Sequence, residues 1–222
     1  ELTCGQIERI AHALVNTYPE HAIVFRSVDE NRGISVAKRL CAAGARRVFS
    51  RRVLYQDPGD PKIWRKKQLR NDQKLLARTG YKVVPHDHLT ESDMPRLQML
   101  YNQLYLKKYS QLNPQFTVAL LTHLWRTRSW RFTALRMDGR IDGVIGTYRR
   151  SGVLTTPLCG YDISLPQSLG LYRLLSMVTT LEAQAESLLV NDSAGVGHFK
   201  RLRGATPHRE YNLVFDSHLP AH

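Results

Sequence analysis

The sequence predicts an α+β fold, a mixed and largely antiparallel sheet flanked by helices. Three observations carry that expectation. Residues 130–162 hold three period-two or apolar runs, "WRFTALRM", "IDGVIGTYRR" and "VLTTPLCGYD", separated by Asp138-Gly139 and Ser151-Gly152. Dipeptides of that kind between alternating runs are hairpin signals, so a meander is expected there. Before and after it, apolar residues recur at helical spacing. The chain has 222 residues, 42% of them hydrophobic, enough to bury a real core in one large domain or two smaller ones.

In chain order, Ile7, Ile10, Ala11 and Leu14 predict a helix over 6–17, stopped by Pro19. "AIVFRSV" (22–28) reads as a strand, "ISVAKRLCAAG" (34–44) as a helix ending on Gly44, and "RRVFSRRVLY" (46–55) as a strand. After the turn "DPGD", Pro61 and Gly80 bracket an amphipathic helix. Trp64, Leu69, Leu75 and Leu76 fall on one arc of it, and Lys62, Lys66, Lys67, Arg70, Lys74 and Arg78 occupy the rest. "YKVVPH" (81–86) is a short strand. Ser92 is placed to cap a helix reaching about Leu112, buried through Leu97, Leu100, Tyr101 and Leu104, and a second helix covers 115–125. Beyond the meander come a helix over 170–187, a strand at 188–191, a short helix at 196–203 and a last strand, "REYNLVF" (209–215).

The formal net charge of +13 favours anionic partners: nucleic acid, a nucleotide co-substrate, an acidic carrier protein or anionic lipid. Cys4, Cys41 and Cys159 are widely spaced and odd in number, which fits neither a metal site nor a disulfide framework and favours a reducing, cytoplasmic setting. No apolar run approaches the roughly 20 residues that cross a bilayer. The chain opens on Glu1 rather than Met, as expected of a part of a longer polypeptide. His86 and His88 in "PHDH" have no third ligand nearby and read as a polar connector, so no metal is expected.

The most unusual stretch is "GHFKRLRG" (197–204), a cationic helix that starts just after a core strand runs out on Asn191-Asp192-Ser193. Together with "GYD" (160–162) and "GLYRLL" (170–175), it gives residues 92–216 a likeness. The segment resembles the GNAT acyltransferase fold and, more narrowly, its Fem-type branch, whose enzymes carry two tandem GNAT-like units. In that branch a Phe-Lys pair starts the short helix and a glycine follows five residues after the phenylalanine; Phe199, Lys200 and Gly204 match. The resemblance implies a GNAT-like domain over 90–222, preceded by a partial second unit over 1–89 that includes the basic helix 61–79. It also implies transfer of an acyl or aminoacyl group to the amine of a small molecule or peptide. The donor would be acyl-CoA, an acyl carrier protein or aminoacyl-tRNA, each of them anionic.

One departure concerns the donor. GNAT enzymes that use coenzyme A carry a Gln/Arg-x-x-Gly-x-Gly/Ala loop whose N–H groups hold pyrophosphate at a helix N-terminus. Gln167, Ser168 and Gly170 keep the start of that loop, but bulky Tyr172 stands at its third position. These four residues, with Asn191 and Phe199, form the candidate donor-binding set. Acyl transfer builds an oxyanion, and a cation aimed at it contributes on the order of 3 kcal/mol. Lys200, expected at the positive end of its helix, suits that duty. The amine must also lose a proton, for which Asp162 beside Tyr161, Asp192, and His198 are the candidates. Plain structural duties remain open for the same residues: Asp192 or Ser193 as helix caps, Asp162 closing a turn, Lys200 as one solvated cation among several. A non-catalytic nucleic-acid-binding or scaffold module on a degenerate GNAT fold is the alternative function.

Overall fold

The structure, a computed structural model, describes residues 3–220. Glu1 and the Cys4 side chain, on which two expectations fell, lie outside the described residues. The chain divides into two compact units: residues 1–54, 193–195 and 206–222, and residues 55–192 and 196–205. Neither unit is contiguous in sequence, and the basic segment 61–79 lies in the second. A contiguous reading of the chain cannot see this, because the first unit takes in the C-terminal strand.

The first unit holds α1 (Cys4–Thr17), β1 (Ile23–Asp29), α2 (Ile34–Ala42), residues 46–54 of β2 (Arg46–Gln56) and β8 (Thr206–Phe215). Strands β1 and β8 pair antiparallel, Ile23 opposite Phe215. Ile7, Ala11, Leu40, Leu213 and Phe215 form its core. Thr3 caps α1 in a box with Gln6, which satisfies two otherwise orphaned N–H groups.

The second unit opens with Tyr55 and Gln56 of β2, a short turn of helix (Ile63–Arg65), α3 (Lys67–Arg78) and β3 (Lys82–Val84). Helix α4 (Met94–Tyr101) runs on as a π-helical stretch (Asn102–Tyr109), followed by α5 (Val118–Arg126). The meander is β4 (Arg131–Met137), β5 (Arg140–Arg150) and β6 (Val153–Tyr161), and α6 (Leu171–Ala185), β7 (Leu189–Asn191) and α7 (Gly197–Arg201) complete the unit. Its strands lie in the order β3-β4-β5-β6-β7. All neighbours are antiparallel except β6 and β7. The expected mixed, largely antiparallel sheet is what the chain builds.

Three local differences have physical causes. The helix expected over 61–79 breaks at Lys66, whose extended backbone (ψ 127°) separates the first turn from α3. Thr90, not Ser92, makes the capping box ahead of α4, with Asp93. His86 is buried, not a solvated connector: its ring stacks on Phe132 and its Nδ1 accepts the Phe132 N–H at 3.2 Å.

Helix α4 lies directly on β6. A side chain at Gly160 would stand 2.5 Å from the Tyr101 backbone nitrogen, so only glycine permits that approach. The second core cluster joins Leu135, Ile145 and Cys159 of the sheet to Leu171, Leu174 and Leu175 of α6. Among the described residues, no helix is long and apolar enough to cross a membrane.

Candidate active site

Strand β6 is longer than its parallel partner. Pairing with β7 covers Val153 to Thr155 against Leu189 to Asn191, and beyond it β6 continues to Tyr161 paired with β5. A cavity of about 580 Å³ is lined by four elements here. Tyr161 and Asp162 come from the end of β6, Gln167 and Gly170 to Arg173 from the start of α6, and Val196 and Phe199 from α7 and the residue before it. Lys108 and Tyr109 enter from the π-helical end of α4.

An aromatic wall runs through it. Tyr172 sits 6.2 Å from Tyr161 and 4.9 Å from Phe199, ring centre to ring centre. Burial pushes the phenols of Tyr172 and Tyr161 upward, so both are neutral donors at ordinary pH. Gly170 enters α6 at φ 68°, a left-handed cap that suits glycine. Leu75 of α3 packs where its Cβ would be, 2.7 Å away, so α3 presses on the base of α6.

The wall is braced from behind by one carboxylate. Asp72 of α3, 1% exposed, receives the Nε of Arg173 at 2.6 Å and that of Arg203 at 2.5 Å. Arg203 in turn lays its guanidinium 3.4 Å from the Phe199 ring centre. Asp162 is held as firmly, taking Arg96 at 2.9 Å and the Ser164 hydroxyl at 2.5 Å. Burial pushes its carboxyl up, but the bonds from Ser164 and Arg96 outweigh that and hold it below the usual carboxylate range. An acceptor so committed is a poor proton acceptor and a good anchor.

Lys200 is neither solvated nor part of the cavity wall. It is 7% exposed, and its ammonium donates to the Asp192 backbone carbonyl. Burial lowers its affinity for the proton, with Asp192 and Cys159 opposing. It is also the fourth residue of a five-residue helix rather than its first. The expected help from the helix dipole therefore does not apply, since that field decays within the first turn. Neither Asp192 nor Ser193 caps α7; Val196 takes that place in a left-handed conformation with no side-chain bond. Burial raises the Asp192 carboxyl to about 6 against the opposing charge of Lys200.

The structure thus brings Tyr161, Asp162, Gln167, Gly170, Tyr172 and Phe199 to one cavity, with Lys200 and Asp192 together outside its wall. Ser168 and His198 are exposed and away from the lining, and Asn191 Nδ2 is turned to the Tyr55 hydroxyl at 3.2 Å. Lys108, Tyr109 and Arg173 are lining residues that sequence reasoning missed. Arg173 directly follows the degenerate loop and was within reach of it. Nothing local marks Lys108 and Tyr109, which the π-helical turn delivers from far away in sequence. Among the described residues no group of three or more His, Cys, Asp or Glu side chains is placed to hold a metal ion.

A family model described as acetyltransferase (GNAT) domain matches residues 65–208, more than half of the chain. The chain belongs to the GNAT family. No curated protein matches it. Among solved structures it is similar to the C-terminal domain of a putative lysylphosphatidylglycerol synthetase from Agrobacterium fabrum, with TM-score 0.73 and 14% identity over 95% of this chain and 72% of that one. L-PGS from Bacillus licheniformis gives 0.72 and 13%, again over 95% and 72%. FemX gives 0.72 and 7%, over 96% of this chain and 78% of that one. At such identities the likeness is one of fold, and it places the GNAT domain of this chain beside the Fem-like structures expected from "GHFKRLRG".

Proposed function

We propose that this GNAT domain transfers an acyl or aminoacyl group from an anionic donor to an amine. The observation that carries it is the convergence of the α6 N-terminus, the Tyr161–Tyr172–Phe199 wall and two cations, Lys108 and Arg173, on one cavity. The rings suit an apolar acyl or aminoacyl portion, and the cations with the α6 N–H groups suit the donor's phosphate or carboxylate. The Tyr172 ring stands where coenzyme A-dependent relatives keep a small residue. An acyl carrier protein or aminoacyl-tRNA is accordingly favoured over free acyl-CoA.

In the reaction the amine nitrogen bonds to the acyl carbon and the carbonyl oxygen becomes an oxyanion. The collapse of that intermediate breaks the bond to the donor's sulfur or oxygen. Asp192, titrating near 6, takes the amine proton through water, and the neutral Tyr161 phenol protonates the leaving group. Lys200 lies behind the wall with its ammonium on the Asp192 carbonyl, so it acts on the oxyanion through its charge in a low-dielectric setting and not by a direct hydrogen bond. Asp162 positions the end of β6 by its bonds to Arg96 and Ser164.

The test is transfer to an amine acceptor from acyl-CoA, acyl carrier protein and aminoacyl-tRNA in parallel. Lys200→Ala is expected to lose on the order of 3 kcal/mol of transition-state stabilisation, about a hundredfold in rate. Circular dichroism must show that the variant is folded. Tyr172→Gly is expected to raise the use of acyl-CoA relative to the other donors. Turnover indifferent to Lys200 would remove it from the reaction, and no transfer from any donor would leave the scaffold as the better account.

A further inference from the structure

The first unit holds a cavity of its own, of about 410 Å³, which the proposed transfer does not use. Glu8, Ala11 and His12 of α1 are spaced i, i+3 and i+4, so one face of the helix is turned to it. Ala11 and Phe215, 5% and 6% exposed, join it to the apolar core and make its floor. The rim is more polar. Ser217 and His218 come from the chain leaving β8, and Ala42 and Ala43 from the end of α2. Among the described residues the lining carries no Lys or Arg, and its one formal charge is the Glu8 carboxylate. Glu8 takes part in no ion pair among the described residues.

We propose that this cavity binds a small organic ammonium compound, a primary amine carried on a compact apolar or aromatic body. The body lies on Ala11 and Phe215, whose ring also attracts a cation. The ammonium takes the Glu8 carboxylate and the C-terminal end of α2, where the helix carries partial negative charge. His218 adds an acceptor. Its Nε2 donates to the His21 carbonyl at 3.0 Å, which leaves Nδ1 of the neutral ring to accept.

Other occupants fit less well. An anion meets a carboxylate and a helix end of the wrong sign. A metal ion needs more ligands than this, since among the described residues no group of three or more His, Cys, Asp or Glu side chains is placed to hold one. A folded partner is too large, because cavities of about 300–1,000 Å³ enclose small molecules. The sign of the lining is informative on a chain of net charge +13, whose surface otherwise favours anions. None of these residues lines the transfer cavity, so the proposal does not depend on the reaction.

The experiment titrates the whole chain with phenethylammonium chloride and follows the histidine rings by proton–carbon NMR. The signals of His12 and His218, assigned through His12→Asn and His218→Asn, are expected to shift saturably. A dissociation constant of about 1 mM is expected for a ligand of that size. His86 and His198, in the other unit, are expected to stay in place. Hydrocinnamate, nearly the same shape with the opposite charge, is expected to bind about tenfold more weakly. Glu8 is exposed and outside the Thr3–Gln6 capping box, so Glu8→Gln keeps the fold. It is expected to weaken the amine about fivefold, the size of a solvent-screened charge pair. Ala42→Trp fills the mouth from an exposed position and is expected to abolish the shifts. Hydrocinnamate binding as tightly as the amine, or Glu8→Gln binding it unchanged, would overturn the proposal. So would a titration without saturation by about 20 mM, or shifts confined to His198, which would put the amine in the other unit.

Discussion

Two parts of the larger unit carry cations and use them in opposite ways. Around the meander, arginines meet acids: Arg96 joins Asp142 and Asp162, Arg136 takes Asp93 at 2.9 Å, and Arg149 takes Glu186 at 2.5 Å. Arg140 adds a second contact to Asp142, which also accepts the Tyr81 hydroxyl at 3.0 Å. On α3 the outward cations form no ion pair among the described residues, and the one acid is turned inside. The difference teaches that a net charge of +13 is not a diffuse property of this surface. Paired cations are part of the architecture, while unpaired ones carry self-repulsion that the fold retains without structural return.

The sharpest way to break the comparison is at Asp72, the one acid of α3, which is paired on the inner side of the helix that carries the unpaired cations. It neutralises Arg203, which is only 5% exposed, and fixes Arg173 at the cavity. Asp72→Ala leaves a buried guanidinium without its counter-charge, and losses of about 3–5 kcal/mol are typical of that change. A large fall in the thermal midpoint is expected, together with weaker donor binding because Arg173 loses its brace. A stable Asp72→Ala protein would mean that the triad is ornamental.

Arg96→Ala tests the paired region alone. It releases Asp162 and removes one of the partners of Asp142, itself 1% exposed, for an expected loss of about 2–3 kcal/mol. The pH signature is specific. A carboxyl held below its unfolded value contributes stability that is present above pH 4 and is lost as pH falls through the folded value. Acid unfolding of the variant is therefore expected to begin at higher pH, followed by circular dichroism across pH 2–5. An unchanged acid limb would show that Asp162 owes its low value to Ser164 instead.

Asp192 is expected to behave with the opposite sign. Its folded carboxyl titrates near 6, above the unfolded value, so its ionisation opposes folding. Below pH 4 it is protonated in both states and contributes nothing. The cost grows between pH 4 and 6 and is constant above. Asp192→Asn is expected to raise stability at pH 8 by on the order of 2 kcal/mol and to leave it unchanged at pH 4. Transfer activity in the same variant is expected to fall and to lose its limb near pH 6. Destabilisation at pH 8 would show that the negative charge is required to hold Lys200.

Most of the fold was legible because its signals are local. Alternation and turn dipeptides mark β4 to β6, and Gly170 with its apolar stripe marks α6. The site was legible only where a short motif carries it. Tyr161, Gly170, Tyr172 and Phe199 were found through "GYD", "GLYRLL" and "GHFKRLRG", and they meet at the cavity. The environments of those residues were not legible. Lys200 read as a cation at a helix start, aimed at an oxyanion or else solvated, and the structure places it fourth in the helix and buried by packing from distant segments. Asp162 looked like a free carboxylate until Arg96, far away in sequence, arrived beside it. The non-contiguous make-up of the first unit was not legible for the same reason, since β8 returns to pair with β1 from the other end of the chain.

The smallest expected effect on stability is the one that sharpens the contrast most. Neutralising Lys67, Arg70 and Lys74 removes no ion pair and opens no cavity, and alanine is the best helix former, so propensity does not suffer. Relief of like-charge repulsion along α3 acts in the same direction. The triple variant is expected to unfold within about 0.5 kcal/mol of the unaltered chain, or slightly above it, in urea at low salt. Any advantage is expected to shrink as salt screens the repulsion, with a Debye length of about 10 Å at 0.1 M. Set beside the cost expected at Asp72 on the opposite face of the same helix, that result separates charges the fold uses from charges it does not. A loss of more than about 1 kcal/mol in the triple variant would place these cations among the structural charges.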